Sequence, residues 1–180
     1  SEPIRLTRRA FLVRSTAAGA GLLLGFHLPA KQKLSAAPAA DQPVAVNAWI
    51  AIHPDDSIVI RVARSEMGQG IFTALPMLVA EELECDWSRV RAEYASANEN
   101  RRNDNVFRSM STGGSRSIRD SQDYLRTAGA AAREMLVSAA AERWQVPVAE
   151  CRAAKSVITH TPSGRTLTYG ALAGAAARQE

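Results

Sequence analysis

Apolar positions along the chain fall into short alternating runs and longer runs of helical period, and their order predicts an α+β domain. Val44 to Ile52 is β-prone, Asp55-Asp56-Ser57 reads as a turn, and Ile58 to Val62 returns as a strand. That is a hairpin, with Trp49 as a packing residue. The second strand runs into Arg64-Ser65-Glu66 and then Gly68-Gln69-Gly70. A mostly apolar stretch follows to Leu83, with acids at Glu81, Glu82 and Glu84, and predicts a helix with its apolar face buried. Pro76 fits this helix if Thr73 is the N-cap, because N–H groups of the first turn have no partner anyway; the alternative is a kink. Cys85-Asp86-Trp87-Ser88 ends the helix, and Val90 to Tyr94 predicts another short strand. The order so far is β-β-α-β.

The second half has one long helical period. Residues 96–108 are polar without periodicity and read as a surface loop or a contact surface for another part of the protein. After Ser111-Thr112-Gly113-Gly114-Ser115-Arg116-Ser117, the positions Leu125, Ala128, Ala132, Met135, Leu136, Ala139 and Ala140 recur at helical spacing to about Trp144. Ser117 with Asp120 resembles a capping box with Asp in place of Glu. A helix of about 28 residues would be roughly 40 Å long. Its Ala-rich face would let a partner element approach closely. Val146-Pro147-Val148 restarts the chain, and Ala149-Glu150-Cys151 begins a short turn or strand. Ser156 to Thr161 and Arg165 to Thr168 predict a hairpin over Pro162-Ser163-Gly164, and Tyr169 to Arg178 a final Ala-rich helix.

Charge changes the picture at the N-terminus. Of the formal +4, residues 1–40 carry +5 and the rest −1, so the folded part has no nucleic-acid footprint. Thr7-Arg8-Arg9-Ala10-Phe11-Leu12, followed by an uncharged run from Ser15 to Ala30 and then Ala/Pro-rich residues, resembles a twin-arginine export signal. Such signals send proteins out folded, often with a cofactor inside. The competing readings are an ordinary export signal or an uncleaved membrane anchor. Residues 1–40 are thus expected to be export signal and linker, and 41–180 the folded domain. The expected location is the periplasm or the periplasmic face of the cytoplasmic membrane. Cys85 and Cys151 lie 66 positions apart, so this chain alone holds no iron–sulfur or zinc cluster. Two separately buried thiols are favoured over a disulfide. His27, His53 and His160 form no metal spacing, and no Ser-His-Asp or Cys-His arrangement emerges from the spacings.

The candidate chemistry sits in two glycine-bearing turns. Gly68 and Gly70 permit backbone conformations closed to other residues and let a ligand approach the main chain. A helix starting just after them would point free N–H groups at an anionic ligand. Glu66 reads as a cap or salt-bridge partner rather than a catalytic acid. In the second turn, hydroxyls and glycine N–H groups before a helix suit a phosphate, and Arg116 would add a charge-assisted contact. The plainer reading is an N-cap preceded by a flexible loop. Neither turn matches a nucleotide-hydrolysing loop or a dinucleotide fingerprint.

Taken in order, the motifs are more specific. Ser65-Glu66-Met67-Gly68-Gln69-Gly70, Thr73-Ala74-Leu75-Pro76-Met77-Leu78, Ala80-Glu81-Glu82-Leu83 and Asp86-Trp87 resemble the first molybdenum-cofactor-binding region of the xanthine dehydrogenase family. The likeness is to large subunits of isoquinoline 1-oxidoreductase type, which include aldehyde-oxidising enzymes. Thr112-Gly113-Gly114-Ser115-Arg116-Ser117, Arg119-Asp120-Ser121, Leu125-Arg126 and Ala128-Gly129-Ala130 continue it, and it covers about residues 42–180.

The resemblance implies that Gln69 hydrogen-bonds near the molybdenum oxo group and that Gly68 and Gly70 lie against the cofactor. It places Gly113, Gly114, Ser115 and Ser117 in a second cofactor-contacting loop near the pterin or its phosphates, where Arg116 is a further candidate contact through its charge. The implied cofactor is molybdopterin with molybdenum, in the cytosine dinucleotide form usual in bacteria. The implied reaction is hydroxylation of a small-molecule aldehyde or N-heterocycle with water-derived oxygen, hydride passing to a sulfido ligand. Electrons then leave to a small subunit with 2Fe–2S clusters, and a cytochrome c subunit is a further expected partner. Family large subunits are several times longer, and the base glutamate lies in a later part. Residues 1–180 alone are therefore expected not to catalyse, and no catalytic residue or metal ligand is assigned in this chain. The alternative is a non-catalytic exported module that docks through its Ala-rich helix.

Overall fold

The computed structural model describes residues 42–179. The expected export signal and linker lie outside the described residues. The fold is α+β, with two sheets and two principal packed helices. Strands β1 (Val44–Ala45), β2 (Ile50–Ile52), β3 (Ile58–Val62) and β4 (Val90–Tyr94) form one sheet in the order β1-β2-β3-β4. The first two pairings are antiparallel, with Ile50 opposite Ile60. β3 and β4 are parallel, with Ile58 opposite Val90, and helix α1 (Ile71–Leu83) crosses between them.

The expected single strand from Val44 to Ile52 is broken at Asn47. Its Oδ1 accepts the N–H groups of Trp49 (2.9 Å) and Ile50 (3.0 Å), which bends the chain. Its Nδ2 donates to the Ala128 carbonyl at 3.0 Å, 81 residues away. Helix α1 also begins earlier than expected. Gly70, not Thr73, is its N-cap, so Pro76 is buried in the helix interior rather than placed in the first turn. Having no N–H, Pro76 leaves the Phe72 carbonyl without its helical partner.

Residues 96–108 are not all loop. Ala97–Arg102 forms a short helix, α2, whose N-cap Ser96 accepts the Glu99 N–H at 3.2 Å. The loop after it folds around buried Asn100, which accepts the Phe107 N–H (2.7 Å) and donates to the Arg108 carbonyl (3.2 Å). Phe107 is thereby packed edge-on against Trp49.

The long helix α3 runs from Gln122 to Trp144, 23 residues rather than about 28. The expected Ser117–Asp120 capping box does not form, because residues 114–121 make turns instead. Ser121 is the N-cap position, but its hydroxyl does not cap the helix. That oxygen accepts from Arg64 Nε and Tyr124 Oη instead. The expected Ala-rich face exists but is not free. Ala132, Ala139 and Ala140 are buried, and α3 packs against α1 and the C-terminal helix. The approach to α1 is tight at Gly129, where a Cβ would sit 2.6 Å from the Val79 carbonyl oxygen.

β5 (Cys151–Ala154), β6 (Val157–His160) and β7 (Thr166–Thr168) form a second, antiparallel sheet that leads into α4 (Tyr169–Ala176). α4 ties back to the first sheet and to α1. Fully buried Tyr169 donates its hydroxyl to the Leu83 carbonyl (2.7 Å), and the Gly170 N–H donates to Asp56 Oδ1 (2.7 Å). Cys85 and Cys151 are both free thiols, and burial pushes that of Cys85 up to about 12. Among the described residues no helix is long and apolar enough to cross a membrane.

Candidate cofactor-binding site

β3 delivers the chain to the first turn. Gly68 (φ 90°) and Gly70 (φ 78°) take left-handed conformations that a side chain would strain. Glu66 holds the turn from within. Its Oε1 accepts the N–H groups of Gly68 (2.7 Å) and Gly70 (3.1 Å), and its Oε2 that of Phe72 (2.9 Å). Glu66 is therefore a cap. The expectation of free helix N–H groups awaiting an outside anion is corrected at Phe72, whose N–H the chain's own carboxylate occupies. Gln69 closes the turn from the other side, donating Nε2–H to the Ser65 carbonyl (2.8 Å) and accepting the Met67 N–H (2.5 Å). An amide nitrogen carries two hydrogens, so one Gln69 N–H remains. Tyr94 Oη accepts the Glu66 N–H at 3.2 Å, and its ring packs on Phe72.

Backbone N–H bonds to the charged carboxylate, that of Phe72 foremost, hold Glu66 below the ordinary glutamate value of 4.5, against an opposing effect of desolvation. The sign follows. A depressed carboxylate stabilises the turn above its ordinary value, and that contribution is lost as pH falls through the lower folded value. The amide proton shifts of Gly68, Gly70 and Phe72 should therefore titrate together with a midpoint below the glutamate range. A midpoint at the ordinary value, or one unmoved in Glu66→Gln, rejects this.

The second turn differs from expectation. Gly114 (φ 61°) and Ser115 (φ 54°) are consecutive left-handed residues. The helix starts only at Gln122, so Gly113 to Ser117 do not sit on its N-terminus. Gly113, Gly114, Ser115 and Arg116 are exposed and Ser117 is half-buried. The N–H groups of Gly113, Gly114 and Ser115 have no acceptor among the described residues. Arg116 faces Asp120 at 3.8 Å, an exposed and therefore weak pair.

What no spacing announces is that the two turns meet. The Ser65 N–H donates to Thr112 Oγ1 at 2.8 Å. Arg64, buried at the end of the strand, donates to the Ser111 carbonyl and to Ser121 Oγ. These ties join the residues that flank the two turns, Arg64 and Ser65 before the first and Ser111 and Thr112 before the second. A Cβ placed on Gly68, Gly70 or Gly113 would meet nothing within 4 Å, so no part of the described chain covers these glycines, although the Gly68 and Gly70 N–H groups are already taken by Glu66. The sequence pattern assigns no joining role to Arg64 or Thr112. The available signal was a lone cation placed directly after the apolar run of β3.

Two clefts flank α3, the second reaching Asp120, the partner of Arg116. One, of about 520 Å³, is lined by residues including Arg133 and Cys151, and the other, of about 640 Å³, by residues including Trp49 and Tyr124. The structure also assembles a Ser–His–Glu chain that the spacings did not show. His160 Nδ1 is 2.6 Å from Ser163 Oγ, and its Nε2 is 2.8 Å from Glu150 Oε2. Arg165 Nε donates to the same Ser163 oxygen at 3.0 Å, and neither cleft includes Ser163 or His160. This cluster braces the β6–β7 turn. Among the described residues, no three His, Cys, Asp or Glu side chains converge as metal ligands.

With two open glycine turns joined at one place, the comparisons with known proteins become decisive. The family model described as "Molybdopterin cofactor-binding domain" matches residues 10–180. The chain belongs to this family. It is a molybdenum-cofactor-binding domain of the molybdenum hydroxylases. It is 38% identical over 172 residues to the isoquinoline 1-oxidoreductase subunit beta of Brevundimonas diminuta, covering 95% of this chain and 22% of that one. It is 35% identical over 173 residues to a membrane-bound aldehyde dehydrogenase [pyrroloquinoline-quinone] of Gluconacetobacter polyoxogenes, covering 94% and 21%. The cofactor-binding domain therefore spans about a fifth of the length of these relatives. Among solved structures, the Cu,Mo-CO dehydrogenase shares its fold (TM-score 0.54, 21% identity, 68% of this chain and 15% of that chain). So does quinoline 2-oxidoreductase from Pseudomonas putida 86 (TM-score 0.51, 16% identity, 70% and 15%).

Proposed function

We propose that the domain grips the organic part of molybdopterin through its two glycine turns, as one portion of an exported molybdenum hydroxylase acting on an aldehyde or N-heterocycle. The observation that carries this reading is the junction of the turns through Ser65–Thr112 and Arg64. It sets two stretches of open main chain side by side, as a broad, flat ligand requires. The unpaired N–H groups of Gly113, Gly114 and Ser115 suit phosphate oxygens, with Arg116 adding positive charge. The remaining Gln69 N–H is a donor for an oxygen of the cofactor. When bound, the molybdenum centre supplies water activation and two-electron chemistry. This chain contributes placement: it holds the cofactor's edge and keeps Gln69 in a turn already shaped by Glu66.

The relatives' names support this substrate class, one being named for isoquinoline and the other for aldehyde. The second is also named for a quinone cofactor, but the family match and the paired turns favour molybdopterin here. The base glutamate and most of the substrate pocket would come from a further stretch of large subunit. Electrons would pass to an iron–sulfur subunit and then to a cytochrome c subunit, and the pterin would carry cytosine dinucleotide. Export by the twin-arginine route would place the complex in the periplasm or on the periplasmic face of the membrane. The rival reading, a docking module, loses its docking face, because the Ala-rich side of α3 is covered by α1 and α4.

The test is metal analysis with mass spectrometry on the complex captured from its native host through this chain. Molybdenum, further large-subunit sequence and an iron–sulfur subunit are the expected result. A lone chain without molybdenum would reject the reading.

A further inference from the structure

We infer that Arg64 is a positioning residue, a clasp that pins the second glycine turn at both ends so that the two turns meet the cofactor as one surface. The inference rests on the proposed role of those turns. Arg64 is only 4% exposed, and among the described residues it pairs with no carboxylate. Its Nη1 donates to the Ser111 carbonyl and its Nε to Ser121 Oγ at 3.3 Å. One guanidinium thus holds the first and last residues of the segment 111–121, with Gly113 to Ser117 between them. The next residue adds a third tie, Ser65 N–H to Thr112 Oγ1 at 2.8 Å. All three donors belong to residues 64–65, immediately before the Gly68–Gly70 turn.

The chemistry explains why arginine stands there. Burying a cation is costly unless donors are used, and here an Nε and an Nη1 donor are used on a loop rather than on an acid. The segment 111–121 has no helix or strand of its own. Its shape depends on such ties. A planar guanidinium offers donors on separate nitrogens in a fixed fork, whereas a lysine ammonium is a single point. Two acceptors ten residues apart in sequence call for the fork.

The experiment uses the assembled complex from the native host, carrying Arg64→Lys, Arg64→Gln or Thr112→Val. Amide exchange is read at Asp120 and Ser121, whose N–H groups bond within the segment, and molybdenum is counted per complex. Arg64→Lys and Arg64→Gln should speed exchange there by roughly tenfold to a hundredfold, while the interior of α3 is unchanged, and should lower retained molybdenum. Thr112→Val, which leaves Arg64 in place, should act in the same direction with a smaller effect. Full protection in Arg64→Lys would show that charge alone suffices and would overturn the clasp. A loosened segment with molybdenum fully retained would make Arg64 a folding residue only, and would also overturn it. Molybdenum missing from the unsubstituted complex would instead reject the cofactor reading itself, before any variant is compared.

Discussion

Gly129→Ala is expected to destabilise the domain by about 1–3 kcal/mol, the range for forcing extra atoms into a packed core. Intrinsic helix propensity argues the opposite, since alanine is favoured over glycine in a helix interior by about 1 kcal/mol. Packing decides. A Cβ at Gly129 would sit 2.6 Å from the Val79 carbonyl oxygen and 3.0 Å from Glu82 Cβ. The first of these is helix backbone, so α1 as a whole must move away from α3. Gly174 supplies the control. It lies inside α4, and a Cβ there meets nothing within 4 Å. Gly174→Ala should therefore stabilise by about 0.5–1 kcal/mol. The same substitution in two helices is thus expected to have opposite signs. Urea midpoints of the two variants measure this, and a Gly129→Ala protein as stable as the original would contradict the close helix approach.

If Gln69 donates to the cofactor as proposed, Gln69→Ala is expected to lower the turnover of the assembled complex by about 10²–10³, the usual cost of losing one oriented donor. Stability should change little, because Gln69 is exposed and its two bonds lie within its own turn. Gln69→Glu sharpens the test. It keeps the side-chain shape and an acceptor for the Met67 N–H but removes the amide donor. If donation is what matters, glutamate restores nothing. Turnover and molybdenum content should be measured on the same preparations. Unchanged turnover with full metal in Gln69→Ala would remove this residue from the site.

Much of the fold was legible because its signals are local. The apolar strand before the first turn, the helix ending at Leu83, β4 and the C-terminal hairpin follow from patterns a few residues long. The failures depend on distant partners. Asn47 breaks a β-prone run partly by reaching Ala128. Ser117 and Asp120 imitate a helix start, yet the actual start is fixed where the Ser121 hydroxyl is taken up by Arg64, 57 residues earlier. α2 is a different case: Ser96 and Glu99 stand at capping-box spacing, but the polar residues around them masked the signal. At the site, each glycine turn was legible separately. Their meeting was not, since Ser65 and Thr112 are 47 residues apart and neither belongs to a periodic element.

The bond from Gly170 to Asp56 spans 114 positions, so it also sets a clock. Asp56 lies in the turn between β2 and β3, and its partner is made 114 residues later. At about 5–20 residues per second, the ribosome needs roughly ten seconds between them. Throughout that interval the nascent hairpin lacks both this tie and the Tyr169 anchor on α1. Nascent-chain helpers would therefore find their opening before Gly170 is made, while the hairpin waits for a partner synthesised well after it.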